Sequence, residues 1–321
     1  MNYKILKLDF TTAVHFGSGG LEKTENVLGA DTIFSALFIE SLKYGDSDAL
    51  LKSFKEEKLK ISNAFPYIKG EYYLPKPIIR LDNDADGDSV IKKALKKLKY
   101  IPMSRFDSFI KGKLDIKKES DLFGDNFGES TLVEKVSMQT EDEDKFNNLY
   151  AVEVFKYKSG SGLYFFVGYE DDKDFETVHK LVDSISYTGI GGKISAGYGK
   201  FRLSIDTPSK DIVKNFENIG DYKDIMSLSL CLPREEELEN SLIDASYTVV
   251  KKSGFVASSN YAKTFTKIDK FLGSITVDIT KDEYLKQYEF FFKNKKEALK
   301  HVLPEDIEEV IAKMKLSSSN A

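Results

Sequence analysis

Tryptophan is absent from the 321 residues, cysteine occurs once (Cys231), and histidine occurs three times, at His15, His179 and His301. A single cysteine excludes an internal disulfide, a cysteine-rich zinc site and a paired-thiol redox centre. Histidines this far apart in sequence do not suggest a metal centre, so neither metal nor other cofactor is expected. No apolar run reaches the length of a membrane span, and the opening MNYKILKLDF lacks a basic-then-apolar leader pattern; the expected location is the cytoplasm, with no membrane contact. Charge of one sign does not dominate either. Lys+Arg 47 against Asp+Glu 52 leaves a net charge of -5, so any nucleic-acid binding must come from local charge. No carboxylate pair argues for glycosidase chemistry, and no nucleophile elbow is present. What the chain does hold is a soluble, core-forming composition, 41% hydrophobic and 31% charged, long enough for two domains. Tyr 17 and Phe 23 supply flat rings able to stack on bases.

Residues 3–10 alternate, with Leu6, Leu8 and Phe10 on one face and Lys7 and Asp9 on the other, which predicts a half-buried strand. After a polar, Gly-bearing loop, Asp31 is the expected cap of a helix carrying Phe34, Leu37, Phe38 and Leu42, with Gly45 as its stop. A second helical stretch covers about 48–58, and the prolines of YYLPKPIIRL predict extended chain. Residues 82–148, from DNDADGD through the Lys-rich SVIKKALKKLKY to the acidic EDED, read as an insertion. LYAVEVFKY and GLYFFVGY are expected strands, joined as a hairpin by KSGSG. A helix over about 174–186 and the strand YGKFRLSID follow.

Without the insertion, the order is strand, helix, strand, strand, helix, strand, the ferredoxin-like pattern shared with RRM modules. After about residue 207 a strand (IMSLSLCL), a helix (PREEELENSL) and a strand (YTVVKK) suggest a degenerate second copy, and the charged stretch that begins KDEYLKQ predicts helix. The expected fold class is α+β: two ferredoxin-like domains, residues 1–206 and 207–321, with an inserted region at about 82–148.

The densest motif is GIGGKISAGYGKFR, with Gly189, Gly191, Gly192, Gly197 and Gly199, the cations Lys193, Lys200 and Arg202, and no acid. Glycines let backbone N–H groups approach an anion, and the cations add charge, so a phosphate cradle including Ser195 and Tyr198 is expected in preference to a simple turn. It is not a Walker A loop, because Ile194 stands where Ser or Thr belongs. If the ferredoxin-like order holds, the early loop His15, Phe16, Gly17, Ser18 lies beside it. His15 is a candidate base toward a ribose 2′-OH; the alternative is a histidine that only hydrogen-bonds or stacks. Residues 92–118 carry ten Lys+Arg against Asp107 and Asp115, a local excess of eight, interleaved with aromatics; Arg105 and Phe106 are the candidates there. DNDADGD opens like a calcium loop but has Lys93 where a bidentate glutamate is required. Lys251, Lys252, Ser253, Gly254 and Phe255, at the end of an expected strand, can hold a backbone and a base, or form an ordinary hairpin.

HFGSG, ADTIFSALFIESL, FPY, YLPKP, KKLKYIP, YTGIGGKISAGYGKF, and KKSGFVASSNY with LGS, in this order, resemble the RAMP superfamily, and more narrowly the fourth Csm subunit of type III-A CRISPR effector complexes. The resemblance covers about residues 3–277. After Ile279 the chain departs from it, being Lys/Glu-rich where the family closes with strands. The resemblance implies a non-catalytic subunit in antiviral defence. It would cap the complex and grip the repeat-derived 5′ handle of the crRNA. It would contact the large polymerase-domain subunit, the backbone RAMP subunit and target RNA near the handle–guide junction. The inserted region is similar to the family's thumb. The handle would lie against His15 to Ser18, the loop Gly189 to Arg202, and Lys251 to Phe255. Changing Lys193 and Lys252 to Ala is expected to weaken crRNA retention and flatten its salt dependence. Two other classes stand beside this one: a metal-independent crRNA-processing endoribonuclease with His15 as base, and a scaffold that binds only protein.

Overall fold

The computed structural model describes residues 1–17, 19–79, 89–137, 148–218, 224–230, 245–256 and 264–278. The chain opens with β1 (Asn2–Phe10), then a short pair, β2 (Phe16–Gly17) and β3 (Thr24–Glu25). Next come α1 (Ala30–Tyr44), α2 (Ser47–Lys55), β4 (Leu59–Ile61), β5 (Phe65–Ile68) and β6 (Glu71–Pro75). Residues of the expected insertion form α3 (Ser89–Lys97), β7 (Tyr100–Pro102), α4 (Phe106–Ile110), α5 (Ile116–Phe127) and β8 (Gly128–Ser137). The chain returns through β9 (Asn148–Tyr157), β10 (Ser161–Tyr169), α6 (Asp172–Thr188) and β11 (Phe201–Asp206). Beyond it lie α7 (Lys210–Glu217), β12 (Asp224–Met226), β13 (Ala245–Val256) and β14 (Thr264–Asp278). The α+β expectation holds.

The main sheet runs β11-β1-β10-β5-β6-β7, with β4 also on β10, and its paired strands are antiparallel. Of the expected strands, 3–10, GLYFFVGY and YGKFRLSID are β1, β10 and β11 of this sheet; LYAVEVFKY is β9, which pairs with β8 instead, and β4 and β5, not expected as strands, lie beside β10. One face packs under α1 and α6: Leu6, Leu8, Ile33, Leu37, Leu163, Phe165, Leu181 and Ile185 are all at most 4% exposed. At about 25 cal/mol per Å², such burial is the dominant favourable term in folding. The other face is covered as well, where the alternation predicted solvent. Ile5 is 1% exposed, packed with Phe65, Tyr67, Tyr164 and Phe166, and Ile212 and Phe216 of α7 lie against them.

Local details depart from the sequence reading for identifiable reasons. Asp31 does not cap α1. The helix begins at Ala30, whose N–H donates to Asn63 Oδ1 at 2.8 Å, so a distant side chain fills the cap's role and Asp31 sits in the first turn, where the helix dipole favours it. Gly45 stops the helix with φ 74°, as predicted. Leu42 is 58% exposed; the stripe turns instead to Glu40, buried because Ser184 and Lys43 bond its carboxylate. The hairpin between β9 and β10 is not formed. β10 has both edges taken, by β1 and by β4 with β5, so β9 pairs with β8 from Gly128↔Tyr157 to Ser137↔Asn148. The expected insertion is two things. Leu98, Ile101, Phe109 and Ile116 close a small core of their own, while Phe123 and Phe127 of α5 pack into the main core.

β12, β14 and β13 form a second antiparallel sheet. The expected helix PREEELENSL, the helical tail beyond Ile279, the DNDADGD turn and the EDED run lie outside the described residues.

Burial of tyrosines gives a pH prediction. Tyr157 and Tyr164 are buried with their hydroxyls donating to Asn26 O and Tyr73 O, and burial raises both well above 10; Tyr73 is pushed up to about 12, also by burial first. The folded state therefore keeps its phenol protons after the unfolded chain would release them. Stability is complete below pH about 10 and falls as pH rises beyond it, each such tyrosine adding up to about 1.4 kcal/mol per pH unit. Urea midpoints measured from pH 9 to 11.5 check this; a flat profile contradicts it.

Candidate nucleic-acid interface

The two chain reversals meet. Thr11 N–H donates to Lys200 O at 2.9 Å, Lys200 N–H to Thr12 Oγ1 at 3.0 Å, Gly199 N–H to Ala13 O at 2.9 Å and Gly192 N–H to His15 O at 2.8 Å. β1 and β11 pair directly, so the loop leaving one and the loop entering the other must leave the sheet side by side. A third segment joins them. Val14 and Phe155 exchange both backbone hydrogen bonds at 2.8 Å, and Glu153 N–H donates to Leu21 O. His15 Nδ1 is 2.7 Å from Glu153 O, and Thr24 N–H donates to Glu153 Oε2 at 2.7 Å. The base of the β8–β9 ribbon is thereby fixed to both loops.

His15 is 4% exposed, and a carbonyl at Nδ1 requires that nitrogen to carry the proton. The ring is a packed spacer between loop and ribbon. Phe16, expected to meet RNA, is 5% exposed in the main core beside Phe10, so it has no face free for a base. Gly17 is exposed; Ser18 lies outside the described residues.

Most glycines of the loop are required for its own closure. At Gly199 (φ 80°) a Cβ would stand 2.1 Å from Ile190 O, and at Gly191 (φ 102°) 2.7 Å from Phe16 Cδ1. Gly189 and Gly192 are hemmed in by Tyr198 O and the His15 ring. Only side-chain-free residues allow the two loops to approach this closely. Gly197 differs: its φ is 87°, but nothing lies within 4 Å of its missing Cβ. The rim of the loop carries Ser195 and Lys200, both exposed, and Gly197 and Tyr198, both half-buried, with Arg202 exposed on β11 opposite Asp9 in register.

Lys193 sits at the turn with φ 59° and ψ 28°, a left-handed conformation rare for lysine. Its Nζ lies 5.2 Å from the Tyr150 ring centroid, and Lys135 Nζ lies 4.6 Å from that of Tyr198. Lys135, Tyr150 and Glu153 were not singled out from sequence. Their signal was the apolar-rich character of Leu132–Val136 and Leu149–Val154, which fits two strands but does not say that their base docks on the loops.

Arg105 and Phe106 are not part of this cluster. They lie beside β7, at the far edge of the sheet from β11, four strands beyond β1 or roughly 19 Å. Phe106 packs on Leu98, Ile101 and Phe109, and Arg105 forms an ion pair with Glu119, which is 3% exposed. Arg105→Ala strands that carboxylate and is expected to cost about 1–3 kcal/mol; Glu119→Gln in the same chain restores much of it. Thermal melts of the single and double variants test this, and equal destabilisation by both contradicts it. Lys251 to Phe255 lie within the last six residues of β13, paired with β14 and carrying a register shift between Lys252 and Gly254. Among the described residues no group of three His, Cys, Asp or Glu side chains is placed to hold a metal ion, and no helix is long and apolar enough to cross a membrane.

Comparison with known proteins places this geometry. Residues 7–202 match the RAMP superfamily, and residues 220–272 match the CRISPR Csm4 C-terminal domain. The chain is 31% identical over 278 residues to the CRISPR system Cms protein Csm4 of Streptococcus thermophilus, covering 84% of this chain and 86% of that protein. It is 32% identical over 262 residues to the protein of the same name from Mycobacterium tuberculosis, with 82% of each covered. The fold is similar to the Csm3-Csm4 subcomplex in the type III-A CRISPR-Cas interference complex (TM-score 0.56, 18% identity, covering 87% of this chain and 94% of that one). It is also similar to the Csm1-Csm4 cassette in complex with cA4 (TM-score 0.50, 15% identity, covering 87% and 99%). With both parts of the sequence matched in order and relatives aligned over most of its length, the chain belongs to the Csm4 family of the RAMP superfamily.

Proposed function

We propose that this chain is a non-catalytic subunit of a type III-A CRISPR effector complex, serving antiviral defence, and that it caps the complex and holds the repeat-derived 5′ handle of the crRNA. Its protein partners are the large polymerase-domain subunit and the backbone RAMP subunit; the solved Csm3-Csm4 and Csm1-Csm4 pairs of the same fold support two such contacts. The thumb-like ribbon meets target RNA near the handle–guide junction. The observation that carries the reading is the bond from Gly192 N–H to His15 O, which locks the two loops into one ledge with Lys193, Tyr198 and Lys200 along it. Cations there take phosphates, and Tyr198 takes a base.

The nuclease reading needs a reachable base. His15 is buried, with one ring nitrogen held by Glu153 O, which supports a spacer role. The test is to incubate the pure protein with repeat RNA in EDTA. The expected result is a retained, full-length RNA. Cleavage that disappears in His15→Ala would overturn the assignment, and so would crosslinking of handle RNA in the complex only to neighbouring subunits.

A further inference from the structure

The ribbon and the glycine loop each contribute one lysine and one tyrosine to a pair of contacts exchanged across the gap between them. Lys135 of β8 rests on Tyr198 of the loop, and Lys193 of the loop rests on Tyr150 of β9. Lys135 and Tyr150 are direct partners in the ribbon register, while Lys193 and Tyr198 flank the single 3-10 turn Ile194–Ala196. All four are half-buried, so each keeps a route to solvent. The arrangement is held from below by the bonds of Val14 and His15 to β9. Lys193 keeps its strained φ of 59° where glycine would be at ease, and such strain persists where the surroundings fix the residue. Beside Tyr198, the open space at Gly197 leaves room for a flat group.

An ammonium over a ring occupies the face on which a base would stack. A phosphate offers the same ammonium a full charge. We infer that these four side chains form a clasp that single-stranded RNA opens: phosphates draw Lys135 and Lys193 off the rings, and the freed faces of Tyr150 and Tyr198 take up bases. This rests on the RNA-holding reading and adds to it Lys135 and Tyr150, with a path for the strand between ribbon and loop. Two carboxylates are close by on the ribbon. Glu153 is engaged by Thr24 N–H, and Glu134 alternates to the face opposite Lys135.

The experiment uses the full chain and an oligouridylate of about 12 nucleotides, within the span of a single-strand site. In the free protein the ε-methylene protons of Lys135 and Lys193 lie upfield, under the ring currents of their tyrosines; adding RNA returns both to ordinary positions. Lys135→Ala lowers the slope of log Kd against log salt by about 0.7. Tyr150→Leu weakens binding roughly 5- to 150-fold at unchanged slope, while Tyr150→Phe binds as the unmodified chain does. If Tyr150→Leu does not fold, the lysine resonances and Tyr150→Phe still decide. Unmodified chain that binds RNA with both lysine signals unmoved, or Lys135→Ala and Tyr150→Leu binding normally, overturns the clasp and leaves the RNA-holding reading intact. Failure of the unmodified chain to bind any single-stranded RNA overturns that reading itself.

Discussion

Gly199→Ala is expected to lower the unfolding free energy by about 3 kcal/mol or more, while Gly197→Ala costs about 1 kcal/mol. Both positions have positive φ, 80° and 87°, so both variants meet the left-handed penalty of an L-residue. They differ in what surrounds the new methyl group. At Gly199 it would stand 2.1 Å from Ile190 O and 2.8 Å from Ile190 N, backbone atoms of a residue that is itself bonded to the glycine: Ile190 N–H donates to Gly199 O. The loop cannot yield without releasing Ile190 from the core and breaking the Gly199–Ala13 bond that ties it to the early loop. At Gly197 the methyl enters open space. Urea denaturation of the two variants measures the gap. Equal losses would mean that loop closure is not what these glycines serve.

The second large effect concerns charge. Replacing Lys193, Lys200 and Arg202 together with alanine is expected to weaken handle RNA binding roughly a hundredfold near physiological salt, and to lower the salt slope by about 2, since each lost phosphate contact on a single strand removes about 0.7. The three are spread along one edge, from the turn of the glycine loop to the second residue of β11. Arg105→Ala serves as the control, because its guanidinium is committed to Glu119 on the other side of the sheet. It should leave the slope unchanged while lowering the melting temperature. Filter binding at several salt concentrations reads both. A slope unchanged in the triple variant would make these cations ordinary surface residues.

The sequence disclosed β1, β10 and β11, because periodicity is a local property. The alternation of β1, the 3.6-residue stripe of α6 through Val178, Leu181, Val182 and Ile185, and the stop at Gly45 all stand where patterning put them. Partner choice was not local. The wholly buried run of β10 has both edges occupied by other strands, so a turn that signals a hairpin instead passes the chain from the ribbon into the sheet. The same limit applies at the site. That two glycine-bearing reversals meet followed from strand order, and they do meet. That Phe16 faces inward, or that Arg105 is taken by Glu119, depends on tertiary contacts no spacing reveals. Lys135 and Tyr150 are not legible in the sequence, because only the pairing of β8 with β9 sets them opposite one another.

The most direct measurement is photocrosslinking in the assembled complex, with 4-thiouridine at successive positions of the crRNA handle and the adducts mapped by mass spectrometry. The account predicts adducts on peptides spanning residues 11–25 and 189–202, with Tyr198 among the modified side chains. Adducts confined to the outer surface of α1 and α6, or to the lobe around Arg105, would contradict it.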